Sequence, residues 1–288
     1  MTRILRILAP NPGLRELEGT NTWIVGDRPA AVVDPGPDDE GHLREVAREA
    51  GRVRAILLTH DHPDHAPGAR TLAAMTGAPV LAARPPEEGE RLRDGQEIEV
   101  RGGTIECVAT PGHSPDHMAF FHRSTGSLFT GDAVLGRGTS VIDPPEGDLV
   151  AYLRSLRRMR ELEPRTIHPG HGPLVLDAVG KLDEYLEHRA MREEQVLAAL
   201  ADGRVTPQEM VPAIYGEYPQ ELRDLAARSI LAHLLKLEAE GRVEKRTKDG
   251  ETRWSISEPR TCARCGRPVR GRARLCGPCS LAALQESG

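Results

Sequence analysis

The sequence Thr59-His60-Asp61-His62-Pro63-Asp64-His65 places three histidines and two aspartates within six residues. It follows the apolar run Val53 to Leu58, which predicts a buried strand that delivers the chain into His60. Imidazole nitrogen and carboxylate oxygen are suitable zinc ligands, and four of them in one short segment can reach two adjacent ions but not one. We therefore predict a metal centre here rather than a polar loop with chance histidines.

Three further candidate ligands lie in glycine-containing turns after predicted strands. These turns are Pro111-Gly112-His113, Thr130-Gly131-Asp132 and Pro169-Gly170-His171. Loops at strand ends are where a rigid scaffold presents ligands and catalytic groups. The pattern therefore extends the metal centre beyond the first histidine cluster.

Alternating apolar runs and helical stretches predict a layered α/β domain, with two sets of strands and helices outside them, over residues 1–178. A second pattern follows over residues 179–258. Thr206 and Pro207 are typical of a helix start, Leu222 to Ala239 has helical spacing, and Lys248-Asp249-Gly250 predicts a hairpin turn. Helices followed by a hairpin indicate a winged-helix-like domain. Residues 259–288 form a third region.

The combination His60-x-His62-x-Asp64-His65, His113, Asp132 and His171 resembles the metallo-β-lactamase superfamily over roughly residues 1–175. The resemblance implies a four-layer αβ/βα sandwich with the site at one edge of its two sheets. It also implies a ligand set for two zinc ions: His60, His62 and His113 for the first, Asp64, His65 and His171 for the second, and Asp132 bridging both.

Two zinc ions that share a water lower its pKa from about 15.7 to about 7, and the hydroxide attacks a carbonyl carbon or a phosphorus. We expect Asp64 to orient that hydroxide. Asp34, at a strand-to-turn junction, either hydrogen-bonds the ligand loops or only caps its turn. His117 and His168 are candidates for contact with substrate or a ligand, although a structural role is favoured for both. His122 is expected on a strand surface, and Cys107 in the core.

The four remaining cysteines form two knuckles, Cys262-Ala-Arg-Cys265 and Cys276-Gly-Pro-Cys279. This spacing predicts a structural zinc ribbon, because four thiolates leave no open coordination position. Six arginines surround the knuckles: Arg260, Arg264, Arg267, Arg270, Arg272 and Arg274. They could contact phosphates or form only a solvated surface. For the winged-helix-like region a structural or substrate-gating role is favoured over nucleic-acid binding, because its charge is mixed.

Composition restricts the partners. The 288 residues carry a net charge of −5 and 3% aromatic residues, which argues against a global basic field or a base-stacking surface. The apolar run Met1 to Leu8 is too short for a signal peptide and is interrupted by Arg3 and Arg6. No segment approaches the roughly 20 apolar residues that a membrane span needs. We expect a cytoplasmic protein with no membrane association.

The motifs Thr110-Pro-Gly-His-Ser-Pro-Asp-His117-Met118, Gly131-Asp-Ala-Val-Leu-Gly136 and His168-Pro-Gly-His-Gly-Pro173 resemble the lactamase-beta-2-like group of the superfamily. Three functions stay open. The first, favoured by the resemblance and by the arginine-rich ribbon, is a phosphodiesterase or endoribonuclease acting on single-stranded RNA. The second is a thioesterase of the glyoxalase II (hydroxyacylglutathione hydrolase) or acyl-carrier type. The third is a non-enzymatic nucleic-acid-binding regulator, which the seven ligands argue against.

Overall fold

The computed structural model describes residues 2–257 and three short pieces, 260–261, 264–265 and 268–269. The chain divides into two compact units, Met1–Glu187 and His188–Gly288. Three of the four cysteines predicted to form the zinc ribbon, Cys262, Cys276 and Cys279, lie outside the described residues. The fourth, Cys265, is exposed. Within the described part of the chain, no helix is both long and apolar enough to cross a membrane.

The first unit contains a six-stranded sheet whose strands lie in chain order. They are β1 (Ile4–Leu8), β2 (Asn21–Gly26), β3 (Ala30–Val33), β4 (Val53–Leu57), β5 (Val80–Ala82) and β6 (Glu90–Arg91). The first three strands are antiparallel, and β3 to β6 are parallel. The carboxyl ends of these four parallel strands therefore meet at one edge, and the loop that begins at Thr59 leaves from this edge.

Two helices cover the outer face of this sheet, α1 (Glu40–Ala50) and α2 (Gly68–Thr76). The side chain of Asp39 caps α1 by accepting a hydrogen bond from the backbone N–H of His42. Leu43 of α1 and Leu72 of α2 are buried against the apolar side chains of the sheet. The connections from β3 to β4 and from β4 to β5 are therefore helical crossovers, as parallel strands require.

The second sheet has five strands in the order β11-β10-β9-β8-β7. Their bounds are β7 (Glu97–Val100), β8 (Gly103–Ala109), β9 (Met118–His122), β10 (Ser127–Gly131) and β11 (Thr166–Pro169). Trp23 and Leu57 of the first sheet pack against Phe120 and Phe129 of the second, so the main core lies between the sheets. Cys107 belongs to this core, as predicted, and burial raises the pKa of its thiol to about 12.

Alternation along β9 and β10 turns Phe121 and Leu128 to the other face of the second sheet. Helix α3 (Leu149–Glu161) is capped by Asp148 and buries the side chains of Tyr152, Leu156 and Met159. Helices thus lie outside each sheet. The αβ/βα sandwich predicted from the sequence is confirmed.

A long helix, α4 (Ala178–Ala201), begins in the first unit and ends in the second. The second unit continues with α5 (Pro207–Ile214), a 3-10 turn (Gln220–Leu222), α6 (Arg223–Ala239) and the hairpin β12 (Val243–Lys248) and β13 (Glu251–Ile256). Its core joins Val196, Ile230 and Trp254. Thr206 is the N-cap of α5 and forms a capping box with Glu209. This arrangement is the winged helix that the sequence predicted.

The remaining described strands are the two-residue pair β14 (Arg260–Thr261) and β15 (Pro268–Val269). The compact units divide at Glu187, within α4, whereas residue 178 is the first residue of that helix. The boundaries 1–178, 179–258 and 259–288 therefore stay predictions.

The substitution Phe120→Ala is expected to lower the free energy of unfolding of the first unit by about 3–5 kcal/mol, because Phe120 is fully buried between the two sheets. Urea unfolding in a Trp254→Phe background measures this, since Trp23 then reports on the first unit. Leu176→Ala is the control, because Leu176 is 76% exposed and its removal should change stability by less than about 0.5 kcal/mol. Equal unfolding midpoints for the two variants would contradict this account of the core.

Candidate metal centre

Seven side chains converge at the edge of the sandwich in two groups. Within each group the potential ligand atoms all lie within 4.8 Å of one another. The first group is His60, His62 and His113, and the second is Asp64, His65, Asp132 and His171. These are the seven residues selected from the sequence. Their individual roles as zinc ligands stay predictions.

The ligands come from loops that follow strand ends. His60 to His65 follow β4, His113 follows β8, Asp132 follows β10, and His171 follows β11. Two glycines allow close approach of these loops to their neighbours. Gly112 has a φ of +137°, and a Cβ there would lie 2.3 Å from the backbone of Tyr152. Gly131 has a φ of +44°, and a Cβ there would lie 2.4 Å from the Thr59 hydroxyl. Both positions therefore require glycine.

In the first group, ring nitrogens face one another at short range. Nε2 of His113 lies 3.2 Å from Nδ1 of His62. Nε2 of His60 is buried and has no hydrogen-bond partner among the described residues. A buried nitrogen without a partner is costly, and a divalent cation bound by its lone pair would remove that cost. The donor set therefore fits a metal ion.

In the second group, carboxylates and imidazoles alternate around a common point. Oδ2 of Asp64 lies 2.9 Å from Nε2 of His171 and 3.2 Å from Nε2 of His65. Oδ1 of Asp132 lies within 3.3 Å of the same two nitrogens. The other oxygen of Asp132 lies 3.8 Å from Nε2 of His113. Asp132 thus stands between the two groups, with one oxygen toward each.

The pKa directions differ between the groups. Burial lowers the pKa of His60 and of His113, so both rings are neutral, the form that binds a metal. Burial alone would lower the pKa of His65 and of His171, but the nearby carboxylates together outweigh it: Asp132 and Asp34 at His65, and Asp132 and Asp64 at His171. The pKa of His65 therefore lies well above its usual value, and that of His171 is raised to about 9. A cation bound at the second group must displace these protons.

Four of the five histidines have their second ring nitrogen in a hydrogen bond, and that of His62 lies within ion-pair distance of an acid. The pairs are His60 Nδ1 with Thr59 Oγ1 (2.9 Å), His62 Nε2 with Glu146 Oε1 (3.6 Å), His65 Nδ1 with Asp34 Oδ2 (2.9 Å), His113 Nδ1 with the Val141 carbonyl (3.0 Å) and His171 Nδ1 with the Gly19 carbonyl (3.2 Å). Such partners fix the tautomer and the ring orientation of a metal-binding histidine.

Asp34 is buried and joins both groups. Its Oδ1 accepts the Thr59 N–H at 2.8 Å, and its Oδ2 accepts both the Thr59 hydroxyl at 2.7 Å and Nδ1 of His65. Because the Thr59 hydroxyl donates its single proton to Asp34, its oxygen must accept from Nδ1 of His60. This arrangement directs the Nε2 lone pair of His60 into the centre, and that of His65 once a bound cation has displaced its proton.

Asn21 is a site residue that the sequence did not indicate. Its side-chain amide donates to the carbonyls of Pro169 (3.0 Å) and Gly172 (2.9 Å), on either side of His171. Its backbone N–H donates to the Gly170 carbonyl at 2.7 Å. Asn21 therefore holds the His171 loop against β2. No local sequence signal could have identified it, because its partners are about 150 residues away in the chain. Glu146 was missed for the same reason.

The three further histidines considered in the sequence, His117, His122 and His168, are all buried. His117 hydrogen-bonds Thr110 through Nδ1, and its ring centroid lies 5.1 Å from that of His60. His168 packs between Trp23 and Phe129, and burial lowers its pKa to about 4, so a core role fits it. The surface position expected for His122 is wrong. Its ring is covered and hydrogen-bonds the Thr125 hydroxyl in the turn after β9.

Family comparisons match both parts of the chain. The model described as Metallo-beta-lactamase superfamily matches residues 15–88 and 81–171. The model described as Beta-lactamase associated winged helix domain matches residues 206–254.

Individual proteins match over most of the chain. Beta-lactamase-like protein 2 homolog of Drosophila melanogaster is 31% identical over 89% of this chain and 94% of its own length. Atrochrysone carboxyl ACP thioesterase of Aspergillus chevalieri is 35% identical over 88% of this chain and 87% of its own length. The crystal structure of a metallo-beta-lactamase family protein from Thermus thermophilus is 26% identical, with a TM-score of 0.73 over 88% of this chain and 98% of that chain.

The substitution Asp34→Asn is expected to weaken metal binding about 10–100-fold. The new amide N–H would face Thr59 and His65, and it would reverse the hydrogen-bond directions that keep the proton on Nδ1 of His60. Asp39→Asn is the matched control, because Asp39 caps α1 and asparagine caps equally well. Zinc retained during dialysis against a graded chelator measures the effect. Equal retention by the two variants would refute the role given to Asp34.

Proposed function

The chain belongs to the metallo-β-lactamase superfamily, and we propose that this hydrolase cleaves acyl thioesters, with two zinc ions at the seven-ligand centre. The observation that carries the proposal is its 35% identity to an acyl-carrier-protein thioesterase over 88% of the chain. That similarity spans the catalytic domain and continues into the second unit. We therefore favour a thioesterase over the RNA-cleaving enzyme that the sequence motifs favoured.

In the proposed centre, His60, His62 and His113 hold one zinc ion, Asp64, His65 and His171 hold the other, and Asp132 serves both. When bound, the two ions supply an activated water and stabilise negative charge that develops on the substrate oxygen. Zinc is the proposed metal because the donors are imidazole nitrogens and carboxylate oxygens. Other divalent ions also accept such donors.

The protein's own residues have distinct tasks in this proposal. Asp64 is about one-fifth exposed, whereas His65 and His171 beside it are almost fully buried. It is therefore placed to accept a hydrogen bond from the attacking water and to orient it. Asp34 and Asn21 act through other residues, because they position the His65 and His171 loops and lie too deep to touch a substrate.

A single-stranded RNA substrate is the second candidate. It is supported by the resemblance of the motifs to the lactamase-beta-2-like group, and the name of the Drosophila relative, Beta-lactamase-like protein 2 homolog, agrees with that resemblance. The charges of the winged helix do little to support an RNA substrate. Lys245, Arg246 and Arg253 each pair with an acid, Glu238, Glu244 and Glu251 respectively. Paired cations contribute less to a phosphate-binding surface than free ones.

A non-enzymatic regulator is not proposed, because two complete ligand groups with oriented histidines serve no binding module. For the winged helix we keep the structural or substrate-gating role. For residues 259–288 we keep a four-cysteine zinc ribbon built from Cys262, Cys265, Cys276 and Cys279. Reduced cysteines of this kind agree with the proposed cytoplasmic location.

Asp64→Asn is expected to lower kcat for acyl thioester hydrolysis by at least about a hundredfold, because the amide cannot accept a proton from the water. Asp61→Asn is the matched control, since Asp61 is exposed in the same loop. Both variants are assayed against thioesters and unstructured RNA at equal zinc content. RNA cleavage that depends on Asp64, without thioester hydrolysis by the wild type, would replace the first candidate with the second.

Elemental analysis of the purified protein is expected to find about three zinc ions per chain, two in the catalytic centre and one in the ribbon. Cys262→Ser/Cys265→Ser is expected to lower the content by one ion. Cys107→Ala is the control and should leave it unchanged, because that cysteine is buried between the sheets. A content of two ions in both the wild type and the double variant would refute the ribbon.

A further inference from the structure

A cavity of about 430 Å³ lies against the loop that carries His113. Its wall includes His117, whose ring neighbours His60. Apolar side chains from both sheets line it, namely Ala83 after β5, Leu92 after β6 and Met118 at the start of β9. These positions belong to the same edge of the sandwich as the ligand loops. The cavity therefore lies at the same edge of the sandwich as the candidate metal centre, with His117 between its wall and His60.

Two arginines, Arg91 and Arg93, stand at this cavity. They flank the buried Leu92, so alternation along the chain places both on one side. Both are exposed, and both also line an adjoining depression of about 450 Å³. Among the described residues neither arginine has an acid within ion-pair distance. The pair is therefore available to a ligand.

The acids in the cavity wall are already engaged. Asp94 pairs with Arg158 at 2.8 Å and accepts the backbone N–H of Ala109 at 2.8 Å. Asp116 accepts the Ser114 hydroxyl at 2.8 Å and is almost fully buried. Neither acid pairs with the two arginines, which leaves two unpaired guanidinium groups beside the apolar side chains of the wall. A substrate that fits must be anionic at one end and uncharged along its length.

We propose that Arg91 and Arg93 bind the phosphate of a 4′-phosphopantetheine arm, which lies along the cavity with its thioester at the metal centre. The inference rests on the proposed thioesterase function and names the part of the substrate that is recognised. Guanidinium groups bind phosphate through paired, charge-assisted hydrogen bonds. The arm between phosphate and sulfur carries amide and aliphatic groups and no charge, which suits the wall of this cavity. Carrier proteins present their acyl groups on such an arm.

The test compares thioesters of pantetheine with the same thioesters of 4′-phosphopantetheine, which differ only by the phosphate. Acyl groups from acetyl to benzoyl are assayed. The wild type is expected to have a KM at least about tenfold lower for the phosphorylated series, and Arg91→Ala/Arg93→Ala to lose that preference with kcat unchanged. Arg52→Ala/Arg54→Ala is the matched control, because it removes two exposed arginines of equal spacing at the opposite end of β4.

The outcomes separate the inference from the function on which it rests. Hydrolysis of neither series would overturn both. Two results would overturn the inference and leave the thioesterase function standing. One is hydrolysis of both thioester series with the same KM. The other is an Arg91→Ala/Arg93→Ala variant that still prefers the phosphorylated series. Loss of RNA cleavage in that variant, with thioester kinetics untouched, would assign the arginines to RNA phosphates and also overturn it. Turnover of the pantetheine series shows that the variant is folded. Hydrolysis rates measured with acyl-carrier protein and with acyl-coenzyme A as substrates then show which of these two molecules supplies the arm.

Discussion

The candidate metal centre depends on the buried carboxylate of Asp34, because the hydrogen bonds of that group hold Nδ1 of two histidines in the protonated form. It receives the Thr59 hydroxyl and Nδ1 of His65, and the Thr59 oxygen in turn receives Nδ1 of His60. One carboxylate thus directs a lone pair into each of the two ligand groups. Its position at the end of β3, beside β4, is what allows it to reach both, so the site requires this strand pairing.

Other contacts of the scaffold position the remaining ligand loops. Asn21 ties the His171 loop to the first sheet, and the Gly112 contact with Tyr152 fixes the His113 loop against α3. The inter-sheet core, which includes Trp23 and Phe129, holds the two sheets at a constant separation beneath these loops. Seven polar side chains stay convergent because each loop is anchored in a different part of a packed core.

The sequence predicted what depends on local signals. Apolar runs located the strands, Thr206 and Pro207 marked a helix start, and the ligands followed strand ends. The sequence could not predict contacts between distant segments. These are Glu146 beside His62, the Gly19 carbonyl at His171, and the hydrogen bonds of Asn21 to the His171 loop. His122 was misjudged because alternation alone does not reveal that the turn after β9 covers its ring. The sequence did not indicate a role for Arg91 and Arg93 either, because that role depends on a cavity lined by residues from both sheets.

The ligand groups cannot choose between phosphorus and carbonyl carbon, because an activated water and a cationic centre serve attack on either. Selection must therefore come from groups that contact the rest of the substrate. RNA presents a phosphate at every nucleotide and would benefit from cations spread along a path, whereas Lys245, Arg246 and Arg253 of the wing are each paired with an acid. A 4′-phosphopantetheine arm has one phosphate at one end and one thioester at the other. Two unpaired arginines at the mouth of an apolar cavity match that single charge better than a repeating one.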